Sequence, residues 1–225
     1  MRKIAILVDG GFYRKRAKIL LGEKSAADRA AELEKYCRRH IEDSSSLDGD
    51  AELYRVFYYD CPPATKKFFH PLHKKQMDFS KSTLYTWMND FLQELKRRRK
   101  FALRMGRLSE EHGNYILTPE AVKLLCNGKM TIADLTDDHF HIDFTQKGVD
   151  MKIGIDIASM AYKKQVDQII LVSGDSDFVS VAKLARREGI DFILDPMKAT
   201  IHEDLFEHID GMRTQVDYIS RLARY

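Results

Sequence analysis

Short apolar runs and helical patterns alternate along the first part of the chain. Ile4–Val8 is an apolar run that ends at Asp9, before two glycines, which predicts a buried strand followed by a tight turn. Apolar residues near helical spacing predict helix over 12–42, with a break around Gly22–Ser25. An aromatic and β-branched run over 51–59 predicts the second strand.

The middle of the chain carries weaker patterns. The Ser- and Asp-rich stretch 44–50 predicts a loop. An apolar stripe at helical spacing over 84–95 predicts a helix, and residues 101–105 predict a third strand that ends at a glycine. Residues 109–146 are the hardest to interpret, and we expect an insertion there. Within it, a proline at 119 could open a short helix, and 139–144 alternates like a short strand.

From residue 147 onward the pattern is clearer. The predicted elements are, in order, a helix over 147–164, an apolar strand over 168–173, a turn over 173–178, a helix to about 188, and a strand over 190–194. Residues 203–223 predict a C-terminal helical segment, whose apolar residues we expect to pack on the sheet rather than on a second subunit.

Apolar strands that alternate with helices indicate the α/β class, with a parallel sheet covered on both faces. Right-handed crossovers place the carboxyl ends of all the strands at one edge of such a sheet. Ligands of open α/β sheets bind at that edge. Residues that follow the predicted strands are therefore the candidates for chemistry.

Composition narrows the class of protein. The 225 residues carry a net charge of +3 and favour one domain with an insertion. The chain has no apolar run of about 18 residues and its apolar start is too short for a signal peptide, so we expect a cytoplasmic protein with no membrane partner. Three widely spaced cysteines form neither a CxxC zinc site nor a disulfide framework.

Aspartates occur where the predicted strands end. Asp9 follows the first strand, and Asp175 and Asp177 follow the fourth. Asp150 opens the helix that leads into the fourth strand, and because this helix runs antiparallel to the strands, its start lies at their carboxyl edge. Asp156 lies roughly 9 Å further along the same helix and is a weaker candidate. We expect the first four carboxylates to converge.

A cluster of carboxylates needs a compensating charge. Neighbouring carboxylates repel one another and raise each other's pKa, and a divalent cation removes that cost. Mg²⁺ and Mn²⁺ prefer oxygen ligands, and such ions promote phosphodiester chemistry. A single Asp after a strand is often only a turn former or helix cap, and we interpret Asp60 and Asp195, which precede prolines by two residues and one residue, in that way.

Three segments carry a resemblance to a known family: ILVDGG (6–11), KGVDMKIGIDIASMA (147–161) and LVSGDSDFVSVAKLARREGIDFIL (171–194). The chain resembles the NYN domain family, in its LabA-like branch, of the PIN-like nuclease superfamily. The resemblance implies a PIN-like three-layer αβα sandwich with a mainly parallel central sheet of strand order 3-2-1-4-5. It implies a single NYN domain over residues 1–225, with an insertion at about 109–146.

The same resemblance implies metal-dependent cleavage of RNA. Carried over by position, the catalytic and metal-binding acids are Asp9, Asp150, Asp175 and Asp177, and the metal is Mg²⁺ or Mn²⁺. The chain departs from the family where an Asn often follows the first Asp in a DGxN pattern. Phe12 replaces a polar residue in this region, so any contact that the Asn makes is lost or replaced.

Basic residues offer candidate contacts to RNA. One group contains Lys66, Lys67, His70, His73, Lys74 and Lys75, and a second contains Lys96, Arg97, Arg98, Arg99 and Lys100. Lys147 precedes Asp150 and could contact a scissile phosphate. A solvated surface is the competing interpretation for all of these residues, and His139-x-His141 is only a weak metal signal.

Two classes of function stay open. The leading hypothesis is a Mg²⁺- or Mn²⁺-dependent ribonuclease. The alternative is a non-catalytic module that binds RNA or a protein on a nuclease-like fold, as a monomer or a homodimer. A haloacid-dehalogenase-like phosphatase is disfavoured because Gly11 stands where that chemistry usually needs a second Asp. A dinucleotide or P-loop enzyme is disfavoured because neither glycine motif occurs.

Overall fold

The computed structural model describes the backbone of residues 1–222 and their side chains except at positions 48, 110–113, 143 and 145. Its centre is a six-stranded sheet in which every neighbouring pair is parallel. The strands are β1 (Arg2–Asp9), β2 (Ala51–Asp60), β5 (Phe101–Met105), β8 (Gln168–Val172), β9 (Asp191–Asp195) and β10 (Gly211–Met212), and their order across the sheet is β10-β9-β8-β1-β2-β5.

Helices cover both faces of the sheet. The first layer contains α1 (Gly10–Leu21), α2 (Ala26–Asp48), α3 (Thr83–Lys96) and α8 (Val216–Leu222). The second contains α5 (Val149–Tyr162), α6 (Val179–Arg187) and α7 (Glu203–Phe206). None of the described helices is both long enough and apolar enough to cross a bilayer.

The side chains of β1 show how the two layers form. Ala5 and Leu7 point into the core shared with α5 and α6, whereas Ile4, Ile6 and Val8 point into the core shared with α1, α2 and α3. All five are fully buried. Because successive side chains of a strand face opposite sides, a strand between two layers must be apolar throughout. This is why Ile4–Val8 reads as an unbroken apolar run.

A small antiparallel lobe lies beside the main sheet. It contains the hairpins β3 (Lys67–His70) with β4 (Lys75–Asp78) and β6 (Arg107–Leu117) with β7 (Phe140–Lys147), and the short helix α4 (Pro119–Cys126). The side chains of Phe68, Phe79 and Phe144 pack edge to face between the hairpins, with ring centroids 5.3–5.9 Å apart. The segment 109–146, expected as an insertion, therefore supplies most of one hairpin.

Several sequence predictions are confirmed. The helical region near the amino terminus breaks at residues 22–25, between α1 and α2, and the third strand covers 101–105. The short helix opened by Pro119 is α4, where Thr118 caps the first turn. Mixed α/β architecture with a parallel central sheet and helices on both sides also holds.

One prediction is wrong, and two others hold with different bounds. Residues 44–48 continue α2 instead of forming a loop, because Ser44 is buried and hydrogen-bonded to Gln168 and Arg213. The helical segment expected over 203–223 consists of two short helices, α7 and α8. Between them Gly211 enters the sheet as part of β10, which was not expected, and residue 223 lies outside the described part of the chain. The strand 139–144 begins at Phe140 and extends to Lys147, and the side chain of Asp143 lies outside the description.

Asp60 and Asp195 are buried at strand ends with strong partners. Asp60 accepts two hydrogen bonds from the Arg14 guanidinium at 2.9 and 3.1 Å and one from the Tyr58 hydroxyl. Asp195 accepts from Tyr36 and from the backbone N–H of Met197, two residues on, as expected for a turn residue. Both side chains are 0% exposed, so each also serves as a buried hydrogen-bonding centre.

Replacing Asp60 with alanine should lower the free energy of unfolding by about 3–5 kcal/mol, because it leaves the Arg14 charge without its buried partner. Equilibrium unfolding in guanidinium chloride measures the change. Arg97→Ala is the matched control, since its ion pair with Glu94 is on the surface and its side chain is 75% exposed. We expect a change within about 0.5 kcal/mol for that variant. Equal effects of the two substitutions would contradict this reading of Asp60.

Candidate functional site

Four aspartates lie at the carboxyl edge of the central strands. Asp9 is the last residue of β1, and Asp175 and Asp177 lie in the turn after β8. Asp150 is in the first turn of α5, which begins at this edge because it runs antiparallel to the strands. The topology thus brings together the four residues that the sequence analysis selected.

Backbone amides orient two of these carboxylates. The N–H of Phe12 donates to Asp9 Oδ1 at 3.1 Å, so Asp9 caps α1. The N–H of Asp177 donates to Asp175 Oδ1 at 2.9 Å and caps the single 3₁₀ turn Ser176–Phe178. Each side chain is therefore held by the element that begins just after it.

Ser173 connects the ends of the two central strands. Its fully buried hydroxyl lies 3.4 Å from Asp9 Oδ2, to which it donates, and it accepts from the N–H of Asp175 at 3.3 Å. The sequence analysis placed Ser173 at the junction of the fourth strand and its turn and gave it no role. The signal that could have found it was its place as the first residue after an apolar strand, two positions before Asp175.

Two of these carboxyls have pKa values above the usual range for aspartate. Burial raises the pKa of Asp9 to about 6, and the negative charges of Asp150 and Asp60 add to the rise, while the Phe12 amide and the Ser173 hydroxyl oppose it. Burial also raises the pKa of Asp150, with further contributions from Asp175 and Asp177. Asp150 therefore interacts electrostatically with Asp9 on one side and with the 175–177 pair on the other.

We call the sheet edge that carries Asp9, Asp150, Asp175 and Asp177 the acidic edge. Its carboxylates are accessible to solvent and do not form a compact metal site. Asp150, Asp175 and Asp177 are exposed, and only Asp9 is partly buried. In the described part of the chain, no three carboxylate oxygens of this edge lie within 4.8 Å of one another. None of the four carboxylates has an ion pair with a described side chain. An ion at this edge would therefore contact one or two carboxylates directly and keep water on its other positions, as Mg²⁺ commonly does.

Asp156 belongs to a different network. Its Oδ2 accepts hydrogen bonds from the Tyr59 hydroxyl at 2.8 Å and from Arg104 Nε at 3.0 Å. The Arg104 guanidinium in turn lies over the ring of Phe57. These contacts fix Asp156 between α5 and the β2–β5 side of the sheet, one and a half turns away from Asp150.

Glycines permit close packing around Asp9. A Cβ on Gly10 would come within 2.6 Å of Tyr58 and Asp60, so the chain can turn from β1 into α1 only with glycine there. A Cβ on Gly174 would lie 2.9 Å from the ring of Phe12. Phe12 thus packs against the turn that carries Asp175, which is a structural use for the residue that departs from the family pattern.

A basic groove begins beside Asp9. It has a volume of about 500 Å³, lies between α1 and α3, and is lined by Gly11, Arg14, Lys15, Lys18, Glu23, Lys24, Arg29, Thr83, Leu84 and Trp87. Trp87 stacks on Phe91 and its Nε1 donates to the carbonyl of Lys24, so it is a fixed wall of the groove. Lys15 is exposed and has no ion pair among the described contacts.

Lys147 lies at the same edge as the acids. It is exposed at the end of β7 and precedes Asp150 by three residues, with Gly148 in a left-handed conformation (φ 81°) between them. The neighbouring Gln146 approaches Gly11, where its Oε1 would lie 3.6 Å from an added Cβ. The lobe therefore contributes the end of one strand to the candidate site.

The run Lys96–Lys100 lies elsewhere. It precedes β5, whose carboxyl end is at the acidic edge, so the run lies at the opposite edge of the sheet. Arg97 pairs with Glu94, Arg98 with Glu34, and Lys100 with Glu52. In the first basic group, His70 is buried among aromatic rings. The structure does not bring Lys96, Arg97, Arg98 or Arg99 together with the aspartates.

Part of the chain is similar to a known protein family. Residues 117–206 match the family model of the NYN domain. The matched range is two fifths of the chain and contains Asp150, Asp175 and Asp177. It also contains residues 117–146, which the sequence analysis could not place, and it does not reach Asp9.

Similarity to known proteins over the whole chain is weak. No curated protein matches the chain. A crystal structure of a protein of unknown function from Vibrio parahaemolyticus RIMD 2210633 is similar to it, with a TM-score of 0.45 and 16% sequence identity, over 94% of this chain and 91% of that one.

Because the pKa of Asp9 is raised, the free energy of unfolding should depend on pH. As pH rises from about 4 to about 6, the unfolded chain releases the Asp9 proton while the folded chain keeps it, so the wild-type protein loses stability across this window. The shift corresponds to at most about 3 kcal/mol, and partial exposure reduces it. In EDTA, Asp9→Asn should therefore be more stable than wild type at pH 7.5 by about 1–2 kcal/mol.

The difference between Asp9→Asn and wild type should narrow as the pH falls from 6 toward 4. Urea unfolding at several pH values measures it. Asp90→Asn, at an exposed position on α3, is the control, and we expect it to follow the wild-type curve. A variant at Asp9 that is less stable than wild type at pH 7.5 would show that its carboxylate stabilises the fold.

Proposed function

We propose that this protein is a metal-dependent ribonuclease that hydrolyses phosphodiester bonds at the acidic edge. The observation that carries the proposal is the group of four aspartates at one sheet edge, two of which have raised pKa values and none of which has a described cationic partner. NYN domains are generally nucleases, and the matched range includes three of the four aspartates. Asp9 joins them through the pairing of β1 with β8.

The donor atoms fit Mg²⁺ or Mn²⁺. All of the candidate ligands at this edge are carboxylate oxygens, which these ions prefer. Asp9, Asp150, Asp175 and Asp177 are the residues that would hold the ion. When bound, such an ion would polarise a phosphodiester and stabilise the leaving oxygen. The raised pKa values fit this assignment, because a bound cation would remove the repulsion that contributes to them.

The chain's own groups prepare the site for such an ion. The Phe12 amide and the Ser173 hydroxyl hold the two oxygens of Asp9 in a fixed direction. At pH 7, most Asp9 carboxyls have released their proton and are competent ligands, whereas at pH 5 most are protonated. Lys147 would place a positive charge beside a phosphate next to Asp150. Because the ion must displace the Asp9 proton, we expect the affinity for the ion to fall as the pH drops below about 6.

The basic groove between α1 and α3 offers a path for an RNA strand. It starts at Gly11, next to Asp9, and Arg14, Lys15 and Lys18 succeed one another along its α1 side. Lysines that are not neutralised bind phosphates without regard to sequence. The groove is better placed than the Lys96–Lys100 run because it starts beside Asp9, whereas the run lies at the opposite edge of the sheet. Within the groove, Arg14 pairs with Asp60 and Lys18 with Glu23. Of the three α1 cations, only Lys15 has no described ion pair.

Asp150→Asn should abolish RNA cleavage, with a loss of at least about a hundredfold, because it removes the carboxylate that interacts with both Asp9 and the Asp175–Asp177 turn. Asp156→Asn is the matched control: it removes a carboxylate from the same helix, and we expect it to keep most of the activity. A fluorescent single-stranded RNA, incubated with Mg²⁺ or Mn²⁺ and resolved on a gel, measures cleavage. Excess EDTA should stop the wild-type reaction.

Cleavage that persists fully in Asp150→Asn and in EDTA would refute the metal-dependent reaction. Binding of RNA without turnover in any divalent metal would favour the second candidate, a non-catalytic RNA-binding module. Two observations favour that candidate. Phe12 replaces a polar residue of the family pattern, and the carboxylate oxygens are farther apart than the ligands of a preformed three-ligand metal site.

Lys15→Gln should weaken the binding of single-stranded RNA by roughly three- to tenfold at moderate salt and lower the slope of log K against log salt by about 0.7, because one phosphate contact is lost. Fluorescence anisotropy in EDTA with the Asp150→Asn background measures binding without cleavage. Lys96→Gln is the control and should leave both values unchanged. The opposite result, with only Lys96→Gln affected, would place the RNA at the other edge of the sheet.

A further inference from the structure

Two histidines and an aspartate meet in the antiparallel lobe, outside the acidic edge. His70 ends β3 and His73 lies in the turn before β4, whereas Asp137 opens the single 3₁₀ turn Asp137–His139 ahead of β7. The histidines are separated from Asp137 by more than sixty positions in the sequence. Tertiary structure alone brings these three side chains together.

The three side chains are close enough to share one ion. His73 Nε2 lies 2.7 Å from Asp137 Oδ1, and His70 Nε2 lies 3.8 Å from the same oxygen. One donor atom from each of the three residues lies within 4.8 Å of the other two, which makes this the single such group of three in the described part of the chain. The two imidazole rings are 4.5 Å apart, tilted by 37°.

The surroundings fix one ligand and leave the others accessible. The His70 side chain is only 5% exposed and packs against the rings of Tyr115 and Phe140, with centroids 4.1 and 5.4 Å away. The side chains of His73 and Asp137 are 37% and 63% exposed. A site formed in this way has a rigid inner wall and an outer side that is open to solvent.

We propose that His70, His73 and Asp137 bind a divalent transition-metal ion of the Zn²⁺ type, with water completing the coordination. Two imidazole nitrogens and one carboxylate oxygen are a donor set that suits Zn²⁺, whereas Mg²⁺ prefers oxygen ligands alone. Binding through Nε2 places the remaining proton of His70 on Nδ1. Because a protonated Nδ1 cannot accept a hydrogen bond, the 3.4 Å contact in which the His73 amide donates to His70 Nδ1 would be lost.

The ion would join the two hairpins of the lobe. His70 and His73 belong to the β3–β4 hairpin, and Asp137 leads into β7 of the other hairpin. The site lies at the Phe140 end of β7, and Lys147 lies at the other end, about 23 Å away at ~3.3 Å per residue. The ion is therefore separate from the acidic edge, and its effect there would be to stiffen the lobe that positions Gln146 and Lys147.

The sequence analysis looked for metal ligands in a different pair of histidines. His139 Nδ1 accepts a hydrogen bond from the Thr136 amide at 2.9 Å and acts as a turn cap. His141 is exposed on β7. The spacing of His70-x-x-His73 brackets a tight hairpin turn, and this is the sequence feature that could have indicated the site.

Isothermal titration of the EDTA-treated and dialysed full-length protein with Zn²⁺ tests the proposal. We expect saturable binding of one ion and a rise in melting temperature that EDTA reverses. His73→Ala and Asp137→Asn should each weaken binding by at least about tenfold. His141→Ala, an exposed histidine of the same lobe, should bind Zn²⁺ as wild type does. Asp150→Asn should also keep the Zn²⁺ affinity, which separates this site from the acidic edge.

Two results would overturn the proposal. One is the absence of saturable Zn²⁺ binding by the intact protein, which would leave His73 and Asp137 as an ordinary ion pair. The other is equal affinity of wild type, His73→Ala and Asp137→Asn. Asp137 is on the surface, so Asp137→Asn should fold even if a histidine variant does not, and the visible spectrum of the Co²⁺ form gives a second readout of imidazole coordination.

Discussion

The parallel pairing of β1 with both β2 and β8 is the constraint on which the rest of the structure depends. Val8 pairs with Val172, so the residues that follow these strands, Asp9 and the 173–178 turn, must lie side by side. The apolar face of α5, with Ile153 and Ile157 fully buried, fixes this helix on the sheet and brings Asp150 to the same place. Core packing thus forces like charges together.

Aspartates at the strand ends are stabilised in two different ways. Asp60 and Asp195 are fully buried and receive donors from arginine, tyrosine, histidine and the backbone. Among the described contacts, the four aspartates of the acidic edge accept only from a serine and from backbone amides. The contrast matters because unneutralised carboxylates raise each other's pKa and attract cations, whereas satisfied ones hold the fold together. The same residue type at equivalent positions is therefore either satisfied by buried donors or left accessible to a cation.

The antiparallel lobe changes the surroundings of this edge without altering the sheet. Its aromatic interior, built from Phe68, Phe79 and Phe144, lets the two hairpins pack as a unit beside β5. One end of that unit carries Gln146 and Lys147 toward Asp9 and Asp150, and the other end carries the histidine cluster. A rigid lobe would keep Gln146 and Lys147 in a fixed position beside the acidic edge. Its rigidity would depend in part on the contacts of the histidine cluster at its other end.

The sequence by itself determined five of the six strands of the central sheet, the class of the fold and the identity of the four edge aspartates. Those features follow from local patterns, because a buried strand must be apolar throughout and parallel strands must share an edge. Only the tertiary structure decided that Asp156 pairs with Tyr59 and Arg104, that the Lys96–Lys100 run faces away from the acids, and that His70 and His73 meet Asp137. These contacts join residues far apart in the chain, and the direction of a polar side chain depends on neighbours that no local pattern specifies.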